Sequence, residues 1–158
     1  MAGASLREQE TPVGRAAALL GGMEIFERRL TTVLDAHESI LSGFPGKSLV
    51  RLAENVAIIR RPETFEKALG VSLRTFQRHK KDLSAKRLSQ EQSGRAWKFA
   101  EILEKATEVF GSQAEAEQFL ERPAIGLSQQ RPIDLLATPA GVALVETYLD
   151  RLKYGVYA

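Results

Sequence analysis

Apolar residues recur along this chain at intervals of three and four, the spacing that places them on one face of an α-helix. From Met23 onward this spacing predicts a helix over residues 23–39, preceded by a short helix over 15–20 and a loose arm over 1–14. A pair of glycines separates the two helices. No segment alternates at period two, as a half-exposed strand would. We therefore predict an all-α protein.

Capping residues divide the middle of the chain into further helices. Ser72, Ser89 and Ser112 each carry the short hydroxyl that accepts a hydrogen bond from the first turn of a helix, so each predicts a helix that starts just after it. Gly70 and Gly111 suit the left-handed conformation that commonly follows a helix. We expect the helix after Ser72 to end at about residue 83.

Prolines and glycines organise the last part of the chain. Pro132 suits the first turn of a helix, and Pro139 with Gly141 predicts a break before a last helix over 142–152. The chain then closes on an aromatic, nearly uncharged segment, 154–158. Such a segment indicates docking, either back on its own domain or on a partner.

Composition excludes several classes of site. With 44% hydrophobic and 27% charged residues the chain has a globular balance, and it contains no cysteine, which excludes disulfides, thiolate zinc sites, iron–sulfur clusters and a cysteine nucleophile. Neither a secretory signal nor a membrane-spanning stretch is visible, so we expect a cytoplasmic protein. The two histidines, His37 and His79, lack metal-ligand or catalytic partners at a suitable spacing.

The charge is distributed unevenly. The whole chain has a net charge of +2, but residues 60–98 have a net charge of +7 and residues 99–158 a net charge of −4. A basic segment followed by an acidic one indicates two roles, one of them with a polyanion. The alternative is a chance cluster of charges on a solvated face.

The basic segment contains FEKALGVSLRTFQRHKK, which has the layout of a helix-turn-helix. Phe65 and Phe76 would anchor the two helices and Gly70 would form the turn, although Glu66 stands where such motifs usually have a small residue. The alternative is an ordinary helical hairpin with a basic face. Arginine and glutamine can read base edges, and lysine contacts phosphates. The candidate DNA-binding residues are Ser72, Arg74, Gln77, Arg78, Lys80 and Lys81, with Lys86 and Arg87 continuing the positive field.

Several stretches from about Ser48 to the C-terminus resemble the Xre/MbcA/ParS antitoxin family. AxxVFG at 106–111, AxxFL at 116–120, RPIDLLATPAG and the closing LDRLKYGVYA are similar to its toxin-binding domain. GVSLRTFQRHKK and RLSQEQSGRAWKFAEIL are similar to its Xre-like helix-turn-helix. Phe119 stands where the family commonly has tryptophan, and the loop at 126–130 is poorer in glycine than in relatives. The implied domains are an N-terminal arm and helix of unknown role (1–47), a helix-turn-helix domain (48–98) and a small helical toxin-binding domain (99–158).

The resemblance implies an antitoxin that is paired with a RES-domain toxin acting on NAD. It would cover the toxin's cofactor pocket, need no cofactor itself, and repress its own operon through the helix-turn-helix. Helix-turn-helix proteins bind two-fold DNA sites, so we expect a homodimer, with the helix over 23–39 as a candidate contact. The implied toxin-binding residues are Arg131, Pro132, Leu135, Thr138, Gly141, Tyr154, Gly155 and Tyr157. For Pro132, Leu135 and Gly141, a purely structural role is the alternative.

Two other functions compete with this hypothesis. One is a stand-alone dimeric transcriptional repressor whose last third serves only for dimerisation. The other is a small enzyme, and the lack of cysteine, of a glycine-rich phosphate loop and of a paired-histidine motif counts against it.

Overall fold

The computed structural model describes residues 11–81 and 86–155. In these ranges no β-strand forms, and the only extended pairings are two isolated bridges, Pro45 with Arg87 and Ala124 with Gln130. The prediction of an all-α protein is confirmed. The α-helices are α1 (Pro12–Leu19), α2 (Met23–Phe26), α3 (Val33–Ser42), α4 (Lys47–Asn55), α5 (Pro62–Leu69), α6 (Leu73–Lys81), α7 (Gln90–Phe110), α8 (Gln113–Glu121), α9 (Pro132–Leu135) and α10 (Pro139–Tyr154). Two 3-10 helices lie at Ile58–Arg60 and Ile125–Leu127.

The chain divides into two compact units, Met1–Glu101 and Ile102–Ala158. The division falls within α7. The described part of the segment before residue 48 belongs to the first unit, where α1 packs against α4. The domain limits drawn from the sequence, at residues 47/48 and 98/99, stay predictions.

The core of the first unit is built around Phe44. This ring is fully buried and lies edge-on to Phe26, with a centroid distance of 5.0 Å, and to Trp97, at 6.5 Å. Its backbone N–H donates to the buried Ser93 hydroxyl at 2.8 Å. Since Trp97 is only 5% exposed, it is a core residue.

The single helix predicted over 23–39 is wrong, because two separate helices occupy this stretch. Helix α2 ends where Glu27 takes the left-handed conformation, with φ 58°. Helix α3 starts anew at Thr32, whose hydroxyl accepts from the Asp35 N–H at 3.1 Å while Asp35 accepts from the Thr32 N–H at 3.0 Å. This reciprocal capping box starts a helix inside an apolar pattern that looked continuous.

The Asp35 carboxylate also accepts from the Thr31 N–H at 3.0 Å and pairs with Arg28 at 3.0 Å. The backbone N–H groups of Thr31 and Thr32 lower the pKa of Asp35 to about 2, because they stabilise its ionised form. The charge of Asp35 therefore helps to hold the corner between α2 and α3 together.

The N-terminal boundary also differs from the prediction. Helix α1 starts at Pro12, not at residue 15, because Thr11 accepts from the Gly14 N–H at 2.9 Å and proline occupies the first helical position. Residues 12–14, which we expected in a loose arm, are helical. The predicted break at Gly21 and Gly22 is confirmed, since both have positive φ.

The second unit packs the end of α7 with α8, α9 and α10. Leu103, Leu120, Ile133, Val145 and Leu149 are among its buried residues. The rings of Phe110 and Phe119 lie 4.8 Å apart, and the ring of Phe119 stacks on that of Tyr148 at 5.9 Å. The aromatic residue at position 119 thus joins the two neighbouring rings.

The break predicted at Pro139 and Gly141 lies earlier in the structure. Pro139 is the first residue of α10, and the Thr138 hydroxyl caps the helix by accepting from the Gly141 N–H at 3.0 Å. A β-carbon at position 141 would overlap the backbone carbonyl of Leu135. Gly141 therefore allows the start of α10 to pack closely on α9, and the turn itself is formed by the residues before Pro139.

Candidate functional site

The predicted helix-turn-helix is formed by α5, a tight turn and α6. Gly70 takes the left-handed conformation at φ 64°, as predicted, and the rings of Phe65 and Phe76 pack at 4.8 Å. The Arg95 side chain donates to the carbonyl of Lys67 at 2.7 Å and occupies the space where a β-carbon of residue 70 would stand. The conformation of the turn is therefore fixed by the contact between the two rings and by the Arg95 side chain.

Two side chains cap the start of α6. The Ser72 hydroxyl accepts from the Thr75 N–H at 3.1 Å, which confirms the predicted cap. The Glu66 carboxylate accepts from the Leu73 N–H at 3.3 Å. Glu66, which departs from the usual motif, thus contributes a negative charge at the start of α6, where the helix dipole favours it. The predicted end of this helix near residue 83 lies outside the described residues.

The outer face of α6 carries most of the candidate DNA-binding residues. Arg74, Gln77, Arg78 and Lys81 follow the i, i+3, i+4, i+7 spacing that places residues on one side of a helix. All four are exposed, and with Thr75 they line an open hollow of about 400 Å³. Lys80 is exposed beside them, as is Ser72 in its capping role. This cationic stripe can meet phosphates and base edges together.

Other basic residues near α6 have structural roles. His79 is 8% exposed, and its ring fills the space where a β-carbon of Gly46 would stand. Arg87 donates to the carbonyl of Gly43 at 2.7 Å and thereby fixes the strand-like pairing before α7. Arg87 therefore differs from the α6 cations, because its guanidinium already holds the fold.

The candidate toxin-binding residues around α9 are held by internal contacts. Arg131 pairs with Asp134 through two bonds of 2.9 and 3.0 Å. Pro132 and Gly141 are buried, Leu135 is half-buried, and Thr138 is the cap of α10. These residues shape the corner between α9 and α10, and their contact with a toxin stays a prediction.

The C-terminal candidates are presented differently. Tyr154 is 71% exposed at the end of α10, and Gly155 terminates the helix in the left-handed conformation with φ 67°. Tyr157 lies outside the described residues. Because Lys153 pairs with Glu108 at 3.2 Å, the last turn of α10 is attached to α7, and this bond raises the pKa of Lys153.

Sequence reasoning missed two exposed apolar residues of the second unit, Ile125 and Leu144. Ile125 is 85% exposed and Leu144 is 57% exposed. The one available signal was that Ile125 stands in a short loop between proline and glycine.

The described residues hold no group of three or more metal-ligating side chains, and none of the described helices is long and apolar enough to cross a membrane. No curated protein matches the chain. Two family models match it: the antitoxin Xre-like helix-turn-helix domain over residues 35–101, and the antitoxin Xre/MbcA/ParS C-terminal toxin-binding domain over residues 105–155. Both models describe domains of regulatory antitoxins, whose family members are not known as enzymes. The chain belongs to the Xre/MbcA/ParS antitoxin family, as an Xre-type antitoxin with a helix-turn-helix and a toxin-binding domain.

Proposed function

We propose that this antitoxin neutralises a RES-domain toxin that acts on NAD and that it represses its own operon. The family assignment already implies a toxin and DNA as partners. The identification of that toxin as a RES-domain protein goes beyond the assignment. The observation that carries the proposal is the contrast in what each unit exposes: a cationic stripe on α6, and an aromatic residue, Tyr154, at the end of α10. We also propose a cytoplasmic location, because operon DNA and NAD are both found there.

Occlusion of the toxin's nucleotide pocket is the proposed mechanism of neutralisation. Gly155 ends α10 in a conformation that redirects the backbone, so the segment that follows can leave the helix axis. An aromatic terminus can fill a pocket that would otherwise bind a nucleotide base. The antitoxin then inhibits by excluding NAD, with no reaction of its own.

Co-expression with the protein encoded beside the antitoxin tests this function. We expect the two proteins to copurify on size-exclusion chromatography and the complex to leave NAD intact. The free toxin should consume NAD under the same conditions. A neighbouring protein without NAD-directed activity would contradict the RES assignment, and a toxin that remains fully active in the complex would contradict occlusion.

The α6 stripe supports repression of the operon, and we propose that two copies bind a two-fold site. Helix-turn-helix dimers read half-sites about one helical turn apart, roughly 34–36 Å. One α6 helix reads a single half-site, so a dimer would raise both affinity and specificity. We expect a protected palindromic site in the antitoxin's own promoter, with footprinting as the measurement.

The outer side of α3 is the proposed dimer contact. Val33 is 72% exposed, and Leu34, His37 and Leu41 are exposed beside it. Val33, His37 and Leu41 are spaced by four residues on either side of His37, so an antiparallel second copy would place Val33 of each copy against Leu41 of the other. This self-complementary spacing favours a second copy as the occupant.

Sedimentation of the Leu34→Asp variant tests the dimer. We expect this variant to sediment as a monomer at concentrations where the parent protein is a dimer, because a buried unpaired carboxylate opposes association. Leu144→Asp, an equally exposed apolar position of the second unit, is the matched control and should remain dimeric. If only the control dissociates, the second unit forms the dimer instead.

A further inference from the structure

The outer face of α10 is nearly free of charge, although the last third of the chain is acidic. The residues that point outward along the described helix are Ala140, Ala143, Leu144, Thr147, Arg151 and Tyr154, and all of them are exposed. None of them is acidic. The acidic Asp150 lies off this face and pairs with Lys105 of α7 at 2.7 Å. Asp150 is half-exposed beside the face and Lys153 pairs with Glu108 of α7, so the face itself carries the single charge of Arg151.

A second apolar group lies beside this helix on the 3-10 turn Ile125–Leu127. Ile125 is the most exposed large apolar side chain in the described residues, at 85%. Its loop is closed by the Ala124 N–H donating to the Gln130 carbonyl at 3.1 Å. Ser128 and Gln129 both have positive φ, 55° and 63°, without being glycine. Such strained conformations persist only where the surrounding structure imposes them.

Packing joins the turn to α10. The turn contacts α10, and Gly126 lies so close to the Tyr148 ring that a β-carbon would overlap it. Leu144 lies one turn before Tyr148 on α10, and Tyr148 itself is stacked on Phe119. The turn that carries Ile125 is therefore packed on Tyr148, one helical turn from the exposed Leu144, and exposure of both apolar side chains has no benefit for the folded antitoxin alone.

We propose that Ile125 and the outer face of α10 from Leu144 to Tyr154 form one docking surface for the toxin. The proposal rests on the function proposed above and names the part of the antitoxin that supplies affinity. Three observations favour a toxin as the occupant. The surface lies within the range that matches the toxin-binding domain, its helix leads in sequence into the aromatic segment 154–158, and an antiparallel second copy would set the apolar Leu144 against the charged Arg151.

The chemistry of the surface also defines what it fits. Ile125 and Leu144 at one end, Tyr154 at the other and Thr147 between them suit a shallow apolar groove on the partner. Arg151 is the one charge on the face, so the groove would carry a carboxylate opposite it. Docking through this surface and occlusion by the C-terminal segment are then separate steps, the first setting affinity and the second inhibition.

Binding measurements with full-length antitoxin test the surface. Ile125→Asp, Leu144→Asp and the double variant are titrated against the purified toxin encoded beside the antitoxin. We expect each single variant to bind about tenfold or more weakly, because it would bury an unpaired carboxylate in an apolar contact, and the double variant more weakly still. Ala57→Asp is the control, because it places the same charge at an exposed apolar position of the first unit that lies outside both α3 and α6, and it should bind like the parent.

The outcomes separate this inference from the proposed function. If the neighbouring toxin lacks NAD activity but the variants still weaken its binding, the proposed function fails and the docking surface stands. If the toxin consumes NAD and the double variant binds it like the parent, the docking surface is wrong. Unchanged thermal unfolding of the variants shows that any loss of binding is local. A double variant that keeps the toxin but loses dimerisation would also overturn the proposal, because the surface would then join two copies.

Discussion

Helices α6 and α10 resemble each other in construction and differ in what they expose. Each buries one side against its own unit, and the start of each is capped by a hydroxyl, Ser72 for α6 and Thr138 for α10. The outer side of α6 is cationic, whereas the outer side of α10 is neutral with one arginine. A cationic stripe binds a polyanion by releasing counterions, so its affinity falls steeply with salt. A neutral apolar face binds by removing surface from water, which depends little on salt. The charge of the outward face, more than the fold beneath it, therefore determines which kind of partner each helix can bind.

The largest expected effect comes from removing the segment that extends α10. We predict that deleting residues 154–158 restores the NAD-consuming activity of the toxin while the complex still forms through the rest of the second unit. Tyr154 is 71% exposed, so its removal takes little buried surface from the folded unit. The measurement is NAD consumption by the purified truncated complex.

A second measurement on the same truncated protein distinguishes insertion from packing. If the segment packs on its own domain, its deletion lowers the melting temperature of the free antitoxin. Complete inhibition by the truncated antitoxin would show that the segment does not enter the active site.

On the other side of the comparison, the cations of α6 should separate into two kinds. We predict that Arg74→Ala or Arg78→Ala costs about 1–3 kcal/mol of DNA binding and relaxes base preference, since arginine reads base edges. Lys81→Ala should weaken all sequences alike and reduce the slope of affinity against salt by about 1. Competition gel-shift assays at several salt concentrations measure both effects. If all three variants bound DNA as tightly as the parent protein, α6 would not be part of the DNA interface.

The sequence predicted elements well where one side chain determines one local contact. The caps at Ser72, Ser89 and Ser112 and the positive φ of Gly70 and Gly111 are confirmed, because each depends on neighbours within four residues. The prediction of one helix over 23–39 was wrong because it relied on apolar spacing and overlooked local contacts of this kind. Apolar spacing continued through the stretch, but a capping box and one left-handed residue decided where the helix ended.

The surfaces were predictable to different degrees. The α6 stripe follows from helical spacing alone, so Arg74, Gln77 and Arg78 are exposed as expected. The exposure of Ile125 depends instead on a strained loop and on a tyrosine from α10, and its position between proline and glycine indicates no more than a loop. Burial of Pro132 is likewise a tertiary property, which the motif could not separate from binding.

Two helical glycines sharpen the contrast between a close approach and an open face. We predict that Gly141→Ala destabilises the protein by about 1–3 kcal/mol, because the new methyl group meets the backbone carbonyl of Leu135, which cannot move aside like a flexible side chain. Gly94→Ala is the matched control, since nothing lies within 4 Å of its β-carbon position inside α7. It should stabilise the protein by about 0.5–1 kcal/mol. Urea unfolding measures the change in the free energy of unfolding for each variant. A change of the same sign in both variants would contradict the close approach of Gly141 to Leu135 in α9.

The smallest expected effect concerns acid and is confined to the first unit. Asp35 has its pKa lowered from 3.8 to about 2 by the N–H groups of Thr31 and Thr32, so folding favours its ionised form. Its contribution to stability is fully present above about pH 4 and is lost as the pH falls towards 2. We predict that Asp35→Asn is less stable than the parent at pH 7 and that this difference shrinks progressively between pH 4 and pH 2. Urea unfolding followed across this range measures it, with Glu54→Gln as a control that removes an exposed carboxylate from α4 of the same unit. If the difference in stability between Asp35→Asn and the parent were the same at all pH values, the loss would come from altered hydrogen bonds and not from the missing charge. The ionisation of Asp35 would then contribute nothing to the capping box.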